Sequence, residues 1–267
     1  MRHRSNPRGA ERVVRRALRA AAVLLGLAGA GAGAGAAAQE RVDLELVLLA
    51  DASRSIDDAE LRFQREGYAA AITHPEVLGV IAQGFDRRIA VTYVEWGDAS
   101  SQDVVVPWTV VDGPESAEAF AAALLEAPRR AHGPNAIGSA ITVAHALIED
   151  NGFDGYRRVI DVSGDSANSF GGVPLGQARA AALAADIAIN GLAILCRAAD
   201  CGGRPNMYDL EAAFAERIIG GPASFVVTVE GDLQFADAVR RKLLLEIAGT
   251  PGTRREGVRL AGGGPRR

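Results

Sequence analysis

The sequence feature that most constrains the fold is a nearly unbroken apolar run that ends in an acidic residue and two hydroxyls. The run extends from Leu44 to Ala50 with one glutamate inside it, and Asp51, Ser53 and Ser55 follow directly. Because it is short and rich in branched residues, it is typical of a strand buried on both faces of a parallel sheet. In open α/β sheets ligands bind in the crevice beyond the carboxyl ends of the strands, where these three side chains are expected to lie.

These three side chains offer only oxygen atoms. One carboxylate and two hydroxyls suit a hard divalent cation such as Mg²⁺ or Ca²⁺. Helix capping is the alternative, because Ser55 with Asp58 has the spacing of a capping box. Asp57 with Glu60 has the same kind of spacing, so either pair can open the next helix. The motif alone leaves the metal and the capping interpretations open.

Residues 1–38 have the pattern of a secretory signal peptide. Seven arginines precede a short apolar segment, Ala20 to Ala30, and small residues follow it. An uncleaved membrane anchor is the alternative, although Gly-Ala repeats are weakly apolar for a spanning helix. We predict ordinary export, either to the periplasm or outside the cell, with no stable membrane span after cleavage.

Without residues 1–38 the chain is acidic. It then has 22 basic and 32 acidic residues, a net charge of −10. Such a surface argues against nucleic acid and anionic lipid as partners. Residues 40–249 are enough for one domain with a sizeable core, and residues 250–267 are predicted to be a disordered basic tail.

The two cysteines, Cys196 and Cys201, are separated by four residues. In an exported protein two nearby cysteines are expected to form a disulfide. A metal site is the alternative, but the four histidines are scattered without zinc-like spacing.

Strand and helix patterns alternate along the chain. After the first strand, strand patterns occupy 88–97, 103–111, 156–162, 187–195 and 224–229, and helix patterns occupy 57–71, 76–82, 115–125, 136–149, 173–185, 208–218 and 233–247. This order predicts an α/β fold, a doubly wound and mostly parallel central sheet with helices on both faces. Segment 103–111 is expected to be an antiparallel edge strand, because Pro107 has no N–H for a central ladder.

Two further polar loops are predicted to reach the rim at Asp51. Asn135 precedes a helix, where its side chain suits either capping or cation binding. Asp165 follows the strand pattern at 156–162. With Ser53 and Ser55, these residues supply two carboxylates, two hydroxyls and an amide oxygen, close to a full octahedral set.

This combination resembles a von Willebrand factor A-type (vWA) domain with a metal-ion-dependent adhesion site. Asp51, Ser53 and Ser55 match the family's Asp-x-Ser-x-Ser motif, and Asp165 matches the aspartate after its fourth strand. The chain departs from the family pattern at two places. It has Ser163-Gly164-Asp165 where Thr-Asp-Gly is usual, and it has Asn135 where the family has a threonine ligand.

More narrowly, residues 41 to 248 resemble DUF1194, an uncharacterised group of exported bacterial A-type domains. The matching stretches are 136–138, 159–165, 219–222 and 240–243. The vWA resemblance implies a protein-binding module rather than an enzyme, with an acidic residue of an unidentified partner completing the coordination of the cation. Few direct negative ligands leave such a cation electrophilic toward a carboxylate. We predict Mg²⁺, with Ca²⁺ or Mn²⁺ as alternatives.

Two other functions stay open. The Asn135 substitution favours a degenerate domain that binds through its surface without metal. A metal-assisted hydrolase is disfavoured, because Glu95, expected at the rim or behind it, is the only candidate for proton transfer in these loops.

Four other residues are predicted to be structural. Asp161, within a buried strand pattern, is expected to be a hydrogen-bonded carboxylate. Lys242 is placed near the end of the last helix, where a cation suits the helix dipole. Trp96 and Trp108 are expected to pack in the core or at the sheet edge rather than to contact a partner.

Overall fold

The computed structural model describes residues 39–195, 208–230 and 234–249. The strands are β1 (Glu40–Val42), β2 (Leu44–Asp51), β3 (Ile89–Trp96), β4 (Gln102–Val111), β5 (Phe153–Gly155), β6 (Arg158–Gly164), β7 (Ala188–Leu195) and β8 (Val226–Glu230). The helices are α1 (Asp58–Ile72), α2 (Pro75–Ala82), α3 (Pro114–Glu126), α4 (Ile137–Glu149), α5 (Leu175–Ala184), α6 (Leu210–Arg217) and α7 (Phe235–Ala248).

Several predictions concern residues outside the described ranges. These are the signal peptide at 1–38, the disulfide between Cys196 and Cys201, and the tail at 250–267. Within the described ranges, none of the helices combines the length and the hydrophobicity needed to cross a bilayer.

The central sheet has six strands in the order β4-β3-β2-β6-β7-β8. Every neighbouring pair is parallel except β3 and β4, which are antiparallel. This confirms the predicted α/β class and the antiparallel edge strand that contains Pro107. The connections run outward in opposite directions from β2 and β6, so the crevice beyond the ends of these two strands is a switch point of the kind that binds ligands in such sheets.

Helices cover both faces of the sheet because β2 is apolar on both sides. Leu44, Leu46 and Leu48 pack with residues of α1, α2, α3 and α7. Val47 and Leu49 point to the other face and pack with residues of α4, α5 and α6. The two apolar layers hold β2 in the middle of the molecule and fix where its carboxyl end lies.

A second, two-stranded parallel sheet, formed by β1 and β5, was not predicted. It accounts for Glu45, the one polar residue in the apolar run, which is 2% exposed. Its carboxylate accepts hydrogen bonds from Gly155 N at 2.8 Å and Asn151 Nδ2 at 2.6 Å. Glu45 therefore fastens the small sheet to the central one.

The prediction for Lys242 is wrong. Lys242 lies in the middle of α7 rather than in its last turn, and its side chain is buried against Asp161 and Glu246. Asp161 is buried as predicted, and the polar group that contacts its carboxylate is the Lys242 amine, at 2.5 Å.

Candidate functional site

The loop after β2 turns its polar side chains toward the rim of the sheet. Ser53 N donates to Asp51 Oδ1 at 2.8 Å, and the Ser53 and Ser55 hydroxyl oxygens are 3.2 Å apart. The capping box that opens α1 is formed by Asp57 and Glu60. Capping therefore does not require the two serine hydroxyls, which lie beside the Asp51 carboxylate.

Asp165 reaches the same point from the end of β6. Ser55 Oγ donates to Asp165 Oδ1 at 3.3 Å, which joins the loops that follow β2 and β6. A methyl group on Gly164 would lie 3.0 Å from Asp51 Oδ2, so this glycine leaves space beside the carboxylate. The structure thus brings together four of the five predicted site residues: Asp51, Ser53, Ser55 and Asp165. We call them the rim cluster.

Asn135, the fifth predicted residue, lies in a loop that is tied to the same rim. Arg54 N donates to Gly133 O at 2.8 Å, and Ala136 N donates to Gly97 O at 2.9 Å. Asn135 does not cap α4, because the cap residue is Ala136 and it makes no side-chain cap bond. Among the described residues no hydrogen bond joins the Asn135 side chain to the rim cluster.

The rim cluster holds two carboxylates for which the described residues supply no counter-charge. Burial, and then the charge of Asp165, raise the pKa of Asp51 to about 7, while hydrogen bonds from Ser53 oppose the rise. Burial also raises the pKa of Asp165. In the part of the chain that the structure describes, no Lys, Arg or His forms a salt bridge with either carboxylate, and Asp51 Oδ2 is buried without a hydrogen-bond partner.

The donor set fits a hard cation. It consists of carboxylate and hydroxyl oxygens, the ligands that Mg²⁺ and Ca²⁺ prefer. Within the described ranges no three His, Cys, Asp or Glu side chains are grouped as a metal site. A cation at the rim would therefore need the serine hydroxyls as well as the two carboxylates, and water to complete its shell.

Arg129 supports the rim cluster from behind and was missed by the sequence analysis. Its Nη2 donates to Ala52 O at 3.0 Å and to Ile56 O at 2.9 Å, on either side of the serines. Its Nη1 contacts Asp58 Oδ1 at 2.8 Å. An arginine this far along the chain has no local pattern that marks it, so only the folded chain reveals this role.

Glu95 lies behind the rim, the second of the two places expected for it, since it pairs with Ala50 of β2. It is fully buried and forms a bidentate ion pair with Arg65, at 2.7 Å to Nε and 2.9 Å to Nη2. Glu95, the candidate for proton transfer, is thus engaged in the core.

The two tryptophans pack as predicted. Trp96 is fully buried and its Nε1 donates to Leu49 O at 3.2 Å. Trp108, on the edge strand, donates to Leu147 O at 3.1 Å and packs edge-to-face on Phe153.

Solved structures with a similar fold include several vWA proteins. Proximal thread matrix protein 1 from the mussel byssus, solved with a zinc-occupied MIDAS motif, has a TM-score of 0.55 and 15% identity over 79% of this chain and 49% of that one. A von Willebrand factor type A protein from Catenulispora acidiphila has a TM-score of 0.53 and 14% identity over 78% and 43%. The vWF domain of the pilus tip protein Mfa5 from Porphyromonas gingivalis has a TM-score of 0.52 and 8% identity over 80% and 98%.

These likenesses establish a shared fold. The chain spans about half the length of the first of these solved structures that it matches. No curated protein sequence matches it. A family model matches residues 41–251, and its description is "Protein of unknown function (DUF1194)". Since that match covers most of the sequence, the chain belongs to the DUF1194 family, and its fold is that of vWA domains.

Proposed function

We propose that the chain is an exported protein-binding module in which a divalent cation, Mg²⁺ first, joins the rim cluster to an acidic residue of a partner protein. Asp51, Ser53, Ser55 and Asp165 would hold the cation, and Asn135 would add an amide oxygen from the neighbouring loop. Ca²⁺ and Mn²⁺ are the alternatives for the same oxygen donors.

The observation that supports this most is that, in the described part of the chain, no cation accompanies the two carboxylates of the rim cluster. Two carboxylates share one site there, and Asp51 is fully buried. Burying a carboxylate without a counter-charge is unfavourable, so such a site favours either protonation or a cation. A divalent cation would stabilise both carboxylates at once and would lower the pKa of Asp51.

The residues around the cluster suit a partner surface. Ser55 and Asp165 are half-buried, so solvent reaches the site from one side. Phe170, on the loop after β6, is 56% exposed and its N–H donates to Asn135 O. A partner carboxylate could complete the cation's shell while an apolar side chain packs on Phe170.

A metal-free interaction domain is the second candidate. It is favoured by the Asn135 side chain, which makes no hydrogen bond to the rim cluster within the described residues. A hydrolase has less support, because Glu95, the candidate for proton transfer, forms a buried ion pair with Arg65.

The test is calorimetric titration of the metal-stripped chain with Mg²⁺, Mn²⁺ and Ca²⁺. We expect saturable binding by the wild type and none by Asp51→Ala. Asp154→Ala is the matched control, because Asp154 is an exposed carboxylate on β5, and it should bind as the wild type does. Absence of binding by the wild type would contradict the metal bridge and favour the metal-free domain.

A further inference from the structure

A second cluster of charged side chains lies inside the core, on the face of the sheet covered by α1 and α7. Lys242 Nζ lies 2.5 Å from Asp161 Oδ1 of β6 and 2.5 Å from Glu246 Oε1, one turn further along α7. All three side chains are at most 1% exposed. We call these residues the core cluster. Charges this deeply buried cost several kcal/mol each in desolvation, so the arrangement calls for a physical reason.

The identity of the cation is informative. Lys242 is the only lysine in a chain with 29 basic residues, and all the others are arginines. A buried ion pair needs only a positive charge, which arginine supplies with better geometry. A lysine differs because burial lets it lose its proton and become a nucleophilic amine, whereas arginine stays charged. The only lysine side-chain amine of the sequence thus lies between two carboxyl groups.

Lys242 and Asp161 are in close contact. Nζ lies 2.5 Å from one carboxylate oxygen of Asp161, Oδ1. The amine is therefore held against the carboxyl group. Burial first, and then Glu246, raise the pKa of Asp161 to about 7, against the opposing effect of Lys242. A neutral carboxylic acid is thereby accessible near neutral pH.

Glu246 is held in contact with the amine. Asn190 Nδ2 donates to Glu246 Oε1 at 3.2 Å, and Asn190 Oδ1 accepts from Phe225 N at 3.2 Å, which fixes the orientation of the amide. The Phe225 ring lies 5.3 Å from Nζ and helps to enclose it. Glu246 thus touches the nitrogen whose proton must move in any reaction of the amine.

We propose that Lys242 and Asp161 condense to an intramolecular amide bond, with Glu246 as the catalytic residue that transfers the proton. A proton first passes from the ammonium group to the Asp161 carboxylate, which leaves a neutral amine and a neutral acid. The nitrogen lone pair then forms the N–C bond at Asp161 Cγ, and the C=O π electrons move to oxygen. Glu246 takes a proton from nitrogen and gives it to the Asp161 hydroxyl, which leaves as water while the C=O bond re-forms.

The products are one amide, one water molecule and the original Glu246 carboxylate, so no oxidant or cofactor is needed. Groups held in contact react as if at effective concentrations of about 10⁵ M or more, which favours an amide that would not form in dilute solution. The bond would fasten α7 to β6 in the centre of the sheet. It does not depend on a metal at the rim.

The test is the intact mass of the full chain after reduction of its cysteines. This mass is compared with the mass calculated from the sequence, starting at the N-terminal residue that the purified protein has. We expect a mass lower by one water molecule. Trypsin should then fail to cleave after Lys242 and should release residues 159–179 joined to residues 242–254. A wild type with the unmodified mass, whose trypsin digest contains residues 243–254, would overturn the proposal.

Variants assign the roles. Lys242→Met and Glu246→Gln should have unmodified masses, and circular dichroism checks that each is folded. Asp161→Asn should lose ammonia instead of water and give the same amide. A merely structural role of Asp161 does not predict this loss of mass. The matched control is Arg241→Lys, at an exposed neighbouring position, whose added lysine should stay free. A joined peptide in folded Glu246→Gln would contradict the role of Glu246.

Discussion

The rim cluster and the core cluster both contain buried carboxylates, but they differ in where a positive charge can come from. Strand β6 contributes to both, with Asp161 near its middle and Asp165 just past its end. Asp51 at the rim and Asp161 in the core each have a pKa raised to about 7, and burial is the first cause in both cases. Each cluster contains a second carboxylate that adds to the rise, Asp165 for one and Glu246 for the other.

The difference lies in the counter-charge. Before the proposed condensation the core cluster includes the Lys242 cation, whereas the described residues give the rim cluster no cation. The core is closed to solvent, so a cation there has to come from the chain. The rim is open on the side of Ser55, so a cation there can come from solution and can bind a partner. A buried carboxylate without a counter-charge from the described residues therefore points to a ligand where solvent has access to it.

The largest expected effect concerns the core cluster. Lys242→Met leaves Asp161 and Glu246 buried with neither a cation nor an amine that can join Asp161, and we expect the free energy of unfolding to fall by at least about 3–5 kcal/mol. Adding Asp161→Asn and Glu246→Gln should recover much of the loss, because no buried charge then remains. Urea denaturation measures both effects.

The matched control is Arg240→Met on the same helix, where the ion pairs with Glu76 and Asp237 are exposed. That change should cost about 1 kcal/mol or less. Equal losses for Lys242→Met and Arg240→Met would remove the contrast between the buried cation and a surface one.

The second prediction concerns Asp51 in the metal-free chain. Its pKa is raised from 3.8 to about 7 on folding, so the folded state binds the proton more tightly than the unfolded state. This contribution to stability is fully present below pH 3.8 and is lost as the pH rises through about 7. At pH 8 the ionised carboxylate should therefore cost at most about 4 kcal/mol.

Asp51→Asn removes that cost. We expect the metal-free variant to be more stable than the wild type at pH 8, with the advantage shrinking as the pH falls toward 4. Mg²⁺ should stabilise the wild type at pH 8 and should not stabilise the variant. Thermal unfolding at both pH values measures this, and a variant that is less stable at pH 8 would show that the rim charge is neutralised within the chain.

The smallest effect concerns Asn135. Asn135→Ala should change the free energy of unfolding by about 0.5 kcal/mol or less, because no cap or hydrogen bond to the cluster is lost. If its amide oxygen binds the cation, as we propose, Mg²⁺ affinity should fall about tenfold, or about 1.4 kcal/mol. Asn168→Ala, an exposed amide on the loop after β6, is the control for calorimetry. Unchanged affinity in Asn135→Ala would exclude it as a ligand.

The sequence alone determined the fold class and the place of the rim cluster. The apolar run before Asp51 and the alternation of strands and helices are local patterns, and each reports directly on burial. Pro107 indicated the edge strand, because a residue without an N–H cannot donate a ladder hydrogen bond in the interior of a sheet. The end of β6 was predicted two residues early, but Asp165 still follows it.

Only the tertiary structure decided the partners of the buried charges. A periodic pattern tells which face of α7 is buried but not that Lys242 meets Asp161 on β6, because the two are far apart in sequence. The same holds for Glu95 with Arg65 and for Arg129 behind the serines. Local sequence determines which side chains are buried and where the chain turns. Long-range packing determines which charged groups are neighbours. Electrostatic energies depend on the distance between those groups, so they cannot be read from local sequence.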